Sequence, residues 1–195
     1  NLPILNLPRQ QKAYTIKRFD REQGGCVHIE DFAQVFGVRS HQKYSKTNYD
    51  SMGRLIKGLL PADDLKQFIQ RLVVDILIGN TDAHLKNWSL IYRDAITPEL
   101  APSYDLVSSL AYINNRDLAL NLARVKHFYD IDRRVLEKFS EHINIEKSWL
   151  LSTIEETVSL ARERWPSEIK YLPINSATTD ALKAHWKNLN PLFQL

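Results

Sequence analysis

The chain has 195 residues, with 26 Lys and Arg against 23 Asp and Glu and a formal net charge of +3. This length fits one domain or two small lobes that share a cleft. Hydrophobic residues at 44% and charged residues at 25% are typical of globular proteins and exclude extended disorder. The single cysteine, Cys26, excludes an internal disulfide framework, fits the reducing cytoplasm, and is expected to be half-buried.

The charge and hydropathy patterns disfavour two classes of partner. The longest apolar run, residues 72–78, contains Asp75 and is too short to cross a membrane. Lys and Arg alternate with acidic residues and form no basic run, so we expect no direct binding of nucleic acid.

The first part of the chain predicts short strands and little helix. Alternating apolar and polar residues over 13–20 predict a strand, and residues 26–29 predict a second, shorter one. A short helix is expected from Glu30 to Phe36. The polar composition of residues 40–51 predicts an irregular surface loop.

The strongest helix signal lies between Pro61 and Gly79. Asp75 interrupts its apolar face, and we expect this carboxylate either to face a polar seam or to brace the following loop. The apolar residues recur at spacings of three and four, the pattern of a helix with one buried face: Leu65, Phe68, Ile69, Leu72, Val73, Ile76 and Leu77.

A polar loop over residues 80–87 follows this helix and leads to a predicted strand at 88–92, with a hairpin turn at Arg93 and Asp94. The last third of the chain predicts helices. The fold class expected is therefore α+β and mostly α-helical, with a small β-hairpin region around the polar loop.

Two helices are predicted near the carboxyl end. The first covers residues 145–165 and is expected to stop at Pro166. Ser176 is expected to cap the second. The tryptophans of this region are expected to anchor the core: Trp149, Trp165 and Trp186.

Asp82, Asn87 and Asp105 carry the groups that phosphoryl transfer from ATP requires. One carboxylate orients the acceptor hydroxyl and takes its proton, while a second carboxylate and an amide oxygen hold Mg²⁺ against the phosphates. The spacing Asp-x-x-x-x-Asn with a later Asp is the arrangement of protein kinases. Lys86 or His84 would offset charge on the transferring group. Asp and Asn are also common in loops for structural reasons, so the spacing alone leaves both interpretations open.

The residues around these side chains resemble the HipA family, whose members are bacterial Ser/Thr kinases that act as toxins in toxin–antitoxin pairs. Residues 79–89 read GNTDAHLKNWS, and residues 101–108 read APSYDLVS. The segment IKRFDR, residues 16–21, resembles the interlobe hinge of the family. The resemblance extends from about residue 14 to residue 165.

The resemblance implies a division of the chain. Residues 1–22 would form the interlobe hinge strand and the end of an N-lobe. Residues 23–195 would form a helical protein-kinase-like C-lobe, with a catalytic loop at 79–89 and a metal-binding segment at 101–108. The family's phosphate-covering loop and phosphate-gripping Lys precede the hinge, so we expect this chain to need an N-lobe for activity.

The resemblance also implies roles for single residues. Asp82 would be the catalytic base, and Asn87 and Asp105 would be the magnesium ligands. His84 and Lys86 would either contact phosphate or support the loop.

At the hinge, the backbone of Lys17 and Phe19 would hydrogen-bond the adenine edge of ATP, and Asp20 would belong to the same nucleotide-binding segment. The implied cofactors are ATP and Mg²⁺. The implied partners are a protein substrate, in the family an aminoacyl-tRNA synthetase, and a HipB-like DNA-binding antitoxin.

Two alternative functions stay open at this point. Phosphoinositide kinases carry a similar Asp-x-His-x-x-Asn loop, matched by Asp82, His84 and Asn87, which would make the chain a lipid or small-molecule kinase. A catalytically silent lobe that serves as a binding module is the other alternative.

Overall fold

A computed structural model describes residues 4–6, 8, 12–44 and 46–195 of the protein. The described strands form four small antiparallel sheets. Two sheets lie near the amino end: β1 (Ile4–Asn6) with β2 (Lys12–Tyr14), and β3 (Arg21–Glu22) with β4 (Gly25–Cys26). The three-stranded sheet joins β5 (His28–Asp31), β6 (Ser89–Tyr92) and β7 (Pro98–Leu100), and the last pairs β8 (Asp117–Leu122) with β9 (Val125–His127).

Helices predominate over strands, which confirms the predicted α+β, mostly helical class. They are α1 (Phe32–Val35), α2 (Tyr49–Leu59), α3 (Ala62–Ile78), α4 (Arg133–Ile143), α5 (Lys147–Glu168) and α6 (Ser176–Asn188). Helix α3 packs against α2, α5 and α6 at the centre of the core. Every apolar residue assigned to its buried face is buried, which confirms the interpretation of its periodicity. Each such side chain contributes about 1.5–3 kcal/mol through burial.

The end of α3 sets the start of the polar loop. Gly79 ends the helix in the left-handed conformation at φ 64°, and a Cβ there would lie 2.5 Å from the side chain of Leu110. Two side chains of α6 complete this helix end. His185 Nε2 donates to the carbonyl of Ile76 at 2.7 Å, and Trp186 Nε1 donates to that of Leu77 at 2.8 Å. They satisfy carbonyl groups at the last turn of α3, where helical partners run out.

The three-stranded sheet fixes the other end of the polar loop. Strand β6 lies between β5 and β7, and the Trp88 carbonyl accepts a hydrogen bond from Phe32 N at 2.9 Å. The Trp88 ring packs against Phe68 of α3 with centroids 5.2 Å apart. The loop is therefore held between a buried helix and a paired strand.

The predicted strand over residues 13–20 is wrong beyond Tyr14. Residues 15–18 have no regular structure, and residues 19–20 form a turn. The chain turns here because Arg18 and Arg21 both bind the Asp20 carboxylate, while the Asp20 carbonyl accepts from Val27 N at 3.0 Å. An alternating pattern carries no information about such a local ion-pair cluster.

The predictions for residues 26–36 were partly correct. Strand β5 runs from His28 through Asp31, and α1 begins only at Phe32. Asp31 is the N-cap, since its side chain accepts from Gln34 N while the Gln34 side chain accepts from Asp31 N. This capping box fixes the start of the helix.

The predicted loop over residues 40–51 ends earlier than expected, and Ser45 within it lies outside the described residues. Helix α2 begins at Tyr49 because Asn48 caps it, its side chain accepting from Ser51 N at 2.8 Å. The bounds of helix α4, within the region expected to be helical, and the hairpin of β8 and β9 were also not predicted.

Several smaller expectations need correction. Pro166 lies inside α5, which continues to Glu168, since a proline near a helix end removes only one backbone hydrogen bond. The N-cap of α6 is Asn175 instead of Ser176. Cys26 is exposed instead of half-buried, because its strand β4 pairs only with β3 in a two-stranded sheet whose residues are all exposed.

The prediction that the three tryptophans anchor the core is confirmed in part. Trp186 is buried, whereas Trp149 and Trp165 are partly buried and pack against the core from its edge. No helix in the described part of the chain is both long enough and apolar enough to cross a membrane.

Candidate kinase active site

The polar loop after α3 meets the segment between β7 and β8. The Asn87 amide group joins them: Nδ2 donates to the Asp105 carboxylate at 2.8 Å and to the Asp82 carbonyl at 3.1 Å. The three residues singled out from the sequence therefore lie together. Because Nδ2 makes both contacts, Oδ1 is the atom of the Asn87 amide left to accept or to bind a cation.

Asn87 and Asp105 offer a donor set that fits Mg²⁺. Asp105 is exposed and adopts a left-handed backbone conformation at φ 56°, which brings its carboxylate to Asn87. Carboxylate and amide oxygens are hard ligands, and Mg²⁺ is commonly held by one or two protein groups with several waters. Among the described residues no group of three or more His, Cys, Asp and Glu could hold a metal ion. A site built from one Asp and one Asn is compatible with that result.

Asp82 lines an open cleft. Its side chain is 49% exposed, and the Tyr44 hydroxyl donates to Oδ1. Burial and this contact raise the pKa of Tyr44 to about 12. The cleft has a volume of about 510 Å³ and is lined by residues that include Thr81, Val107, Ser109 and Lys126. An acceptor group that enters this cleft can reach the Asp82 carboxylate.

Asp75 and Asn80 brace the loop below Asp82. Asn80 Nδ2 donates to the Asp75 carboxylate at 2.8 Å, and Asn80 Oδ1 accepts from Asp82 N at 3.1 Å. Asp75 is 1% exposed, and this burial raises its pKa to about 7 against the opposing effects of Asn80 and Arg71. Of the two roles considered for Asp75, the structure shows the brace.

Further contacts hold the loop backbone in place. The Ala83 carbonyl accepts from the Tyr49 hydroxyl at 3.0 Å. The Ser109 hydroxyl donates to the Gly79 carbonyl at 3.1 Å. Tyr104, next to Asp105, donates from its hydroxyl to the Lys86 carbonyl at 2.8 Å. The two segments of the site are thus connected independently of the Asn87 amide.

Lys43 and Tyr44 are the residues of the site that sequence reasoning missed. Lys43 Nζ lies 2.5 Å from His84 Nε2, and the Tyr44 ring lies 5.1 Å from the His84 ring. Burial and then the charge of Lys43 lower the pKa of His84. Lys86, by contrast, is exposed. Lys43 and Tyr44 lie about forty residues before the loop in a segment with no motif, so no local signal could have found them.

The hinge segment approaches the same site through Phe19. Its ring lies 5.7 Å from the Tyr104 ring, while Lys17 is exposed. Asp20 is 4% exposed and is held by Arg18 and Arg21. The hydrogen bond from Arg18 lowers the pKa of Asp20 to about 2. Residues 1–3, 7 and 9–11 of the predicted hinge and N-lobe segment lie outside the described residues, and the division at residue 22 stays a prediction.

Comparison with known proteins connects this geometry to a family. Residues 2–165 match the HipA-like C-terminal domain. A protein of Sinorhizobium fredii (strain NBRC 101917 / NGR234), named "Putative kinase Y4dM", is 44% identical over 175 residues, covering 89% of this chain and 43% of that protein. A "Putative kinase" of Haemophilus influenzae (strain ATCC 51907 / DSM 11121 / KW20 / Rd) is 34% identical over 124 residues, covering 56% of this chain and 36% of that protein. The chain thus spans less than half the length of these relatives.

A solved structure shares the fold. The complex of HipA, HipB and operator DNA from the Shewanella oneidensis MR-1 toxin–antitoxin system includes a chain similar to this one, with a TM-score of 0.80 and 22% identity. The match covers 99% of this chain and 50% of that one. This likeness supports the predicted kinase-like C-lobe fold, and the match over residues 2–165 shows that the chain belongs to the HipA-like C-terminal domain family.

Proposed function

We propose that this chain is the catalytic lobe of an ATP- and Mg²⁺-dependent protein kinase that phosphorylates serine or threonine. The observation that carries the proposal is the Asn87 amide, which bonds both to the backbone of Asp82 and to the carboxylate of Asp105. It holds a solvent-accessible base and a pair of hard oxygen ligands in one rigid group. A lobe that served only as a binding module would have no need of all three.

The roles follow from the chemistry of each group. Asp82 orients the acceptor hydroxyl and takes its proton, as the aspartate of a kinase catalytic loop does. Asn87 Oδ1 and the Asp105 carboxylate would hold Mg²⁺. When bound, the ion neutralises charge on the phosphate oxygens of ATP. Asp75 and Asn80 hold the Asp82 backbone in place beside the proposed metal ligands.

The hinge segment is proposed to bind the adenine ring. Lys17 and Phe19 would contact it through their backbone groups, and the packing of Phe19 on Tyr104 supports a position next to the metal segment. Asp20 would stabilise the turn through Arg18 and Arg21 instead of touching the nucleotide.

Because this chain spans less than half the length of these relatives, the substrate and partners are proposed for the whole protein. By its family resemblance we propose a protein substrate, with aminoacyl-tRNA synthetases as the first candidates. The related structure contains HipB and operator DNA. A HipB-like antitoxin is therefore the partner we propose, and an antitoxin that binds DNA implies action in the cytoplasm.

The test uses the full-length protein and two variants, Asp82→Asn and Asp105→Asn. Transfer of labelled γ-phosphate from ATP to protein should fall by about 100-fold or more in both, the effect typical of removing a general base or a metal ligand. Calorimetry should show that Asp105→Asn weakens binding of Mg·ATP more than Asp82→Asn does. Asp63→Asn, an exposed substitution on α3, is the control and should retain wild-type transfer.

Three outcomes would contradict the proposal. Undiminished phosphate transfer in both variants would remove Asp82 and Asp105 from catalysis. Equal losses of Mg·ATP affinity in the two variants would refute the assignment of Asp105 as a metal ligand. Transfer to phosphoinositide vesicles but not to protein would instead support the lipid-kinase alternative.

A further inference from the structure

The proposed reaction requires positive charge on the Asp82 side of the site. The transferring phosphoryl group is anionic, and both Asp82 and Asp105 carry carboxylates. A metal ion at Asn87 and Asp105 offsets charge on one side only. Kinase-type sites supply further cations, because the electrostatic stabilisation of the transition state is their main catalytic effect.

The two cations suggested by the sequence do not fill this place. The Lys86 side chain is exposed, and no hydrogen bond or ion pair joins it to the described residues. His84 accepts a hydrogen bond at Nε2 from Lys43, which requires a neutral imidazole. Its lowered pKa agrees with that state.

Lys43 is the cation that the fold brings to this side. Its Nζ lies 2.5 Å from His84 Nε2, and His84 Nε2 lies 3.9 Å from the Asp82 carboxylate. Nζ also lies 4.9 Å from the Tyr44 ring centroid, and Tyr44 itself donates to Asp82. Lys43 therefore contacts His84, and Tyr44 contacts Asp82, two polar side chains of the same loop.

The second ring nitrogen of His84 is left without a partner in the described part of the chain. His84 is 6% exposed, and its Nδ1 is buried without a hydrogen-bond partner among the described residues. With Nε2 accepting from Lys43, Nδ1 carries the hydrogen and points to the opposite side of the ring. Leaving such a buried donor unpaired is costly, so the fold keeps Lys43 at Nε2 at the expense of this donor.

We propose that Lys43 is a second phosphate-binding cation of this active site, beside the Lys that the family resemblance places before the hinge, and that it acts on the transferring phosphoryl group from the Asp82 side. The inference rests on the proposed function. In the reaction, the acceptor oxygen bonds to the γ-phosphorus as the bond from phosphorus to the bridging oxygen of ADP breaks, and the acceptor proton passes to Asp82. Lys43 offsets charge and exchanges no proton.

The test compares two probes on the full-length protein by calorimetry. Mg·ADP with aluminium fluoride mimics the transferring group, whereas Mg·ADP alone lacks it. Lys43→Met should weaken the fluoride complex about 10- to 100-fold, the loss expected for one charge-assisted hydrogen bond, and leave Mg·ADP within about threefold. Lys43→Arg should restore most of the affinity. Lys46→Met, which removes an exposed lysine three positions away, is the matched control and should change neither.

The results separate the inference from the function on which it rests. Equal weakening of both probes, or no weakening of either, would show that Lys43 only supports the fold. If Lys43→Met does not fold, loss of fluoride-complex affinity in a folded Lys43→Arg variant would also overturn the proposal, because the charge would be present without its effect. Failure of the wild-type protein to bind either probe would instead refute the proposed function.

Discussion

The buried carboxyl group of Asp75 allows a quantitative test of how the proposed catalytic loop is braced. It is 1% exposed and accepts a hydrogen bond from Asn80 Nδ2 at 2.8 Å. Burial raises its pKa from 3.8 to about 7. The variant to make is Asp75→Asn, which removes the charge but keeps an oxygen that can accept from Asn80.

The sign of the effect follows from proton binding. Between about pH 4 and pH 7 the folded protein holds a proton on Asp75 that the unfolded chain has released, so stability falls as the pH rises through this window. A difference of roughly 3 pH units between the two states corresponds to about 4 kcal/mol. The variant has no such group. Its free energy of unfolding relative to wild type should therefore increase by about 4 kcal/mol between pH 4 and pH 7, on top of any constant cost of placing the amide nitrogen.

Urea unfolding of the full-length protein, followed by tryptophan fluorescence at several pH values, measures this difference. Asp63→Asn removes an exposed carboxylate from the first turn of the same helix and is the matched control. If the stability difference between Asp75→Asn and wild type were the same at every pH, the assignment of a buried, proton-retaining carboxyl group would be refuted.

Two further substitutions test contacts around the site. Tyr44→Phe removes the hydroxyl that donates to Asp82, and phosphate transfer should fall about 10-fold while Mg·ATP affinity, measured by calorimetry, stays unchanged; reduced affinity with normal transfer would contradict this role. Gly79→Ala should lower the free energy of unfolding by about 2–5 kcal/mol, since the position has φ 64° and a Cβ would meet Leu110 at 2.5 Å. Gly58→Ala, in α2 with no atom within 4 Å of its Cβ, should instead stabilise by about 0.5–1 kcal/mol, and similar effects of both alanines in urea unfolding would count against the argument.

The sequence was informative where a physical pattern repeats locally. Helix α3 follows from the recurrence of apolar residues at three and four positions, which depends only on helical geometry. Asp82 and Asn87 lie close together because they belong to one short loop. Asp105 comes close to both because the β6–β7 hairpin, which lies between this loop and Asp105, returns the chain to it. These features need few long-range contacts to be specified.

The remaining features depend on contacts between distant residues. Lys43 and Tyr44 reach the loop from a polar segment whose composition resembles that of any exposed loop. Helix α2 has its start set by the Asn48 side chain, and its first turn mixes polar residues with the buried Tyr49 and Met52, so the segment shows no clear helical pattern. The strand predicted over residues 13–20 fails because the charges of Arg18 and Asp20 pair locally, which outweighs the alternation of apolar residues.

The contacts of α6 with the end of α3 set a lower limit on the length of a working domain. The match to the family ends at residue 165, yet His185 and Trp186 satisfy carbonyl groups 109 positions earlier, one turn before the catalytic loop. A chain shortened to the family boundary would leave these carbonyls to water and open the packing around Leu77. The last thirty residues therefore stabilise the helix end from which the proposed catalytic loop starts.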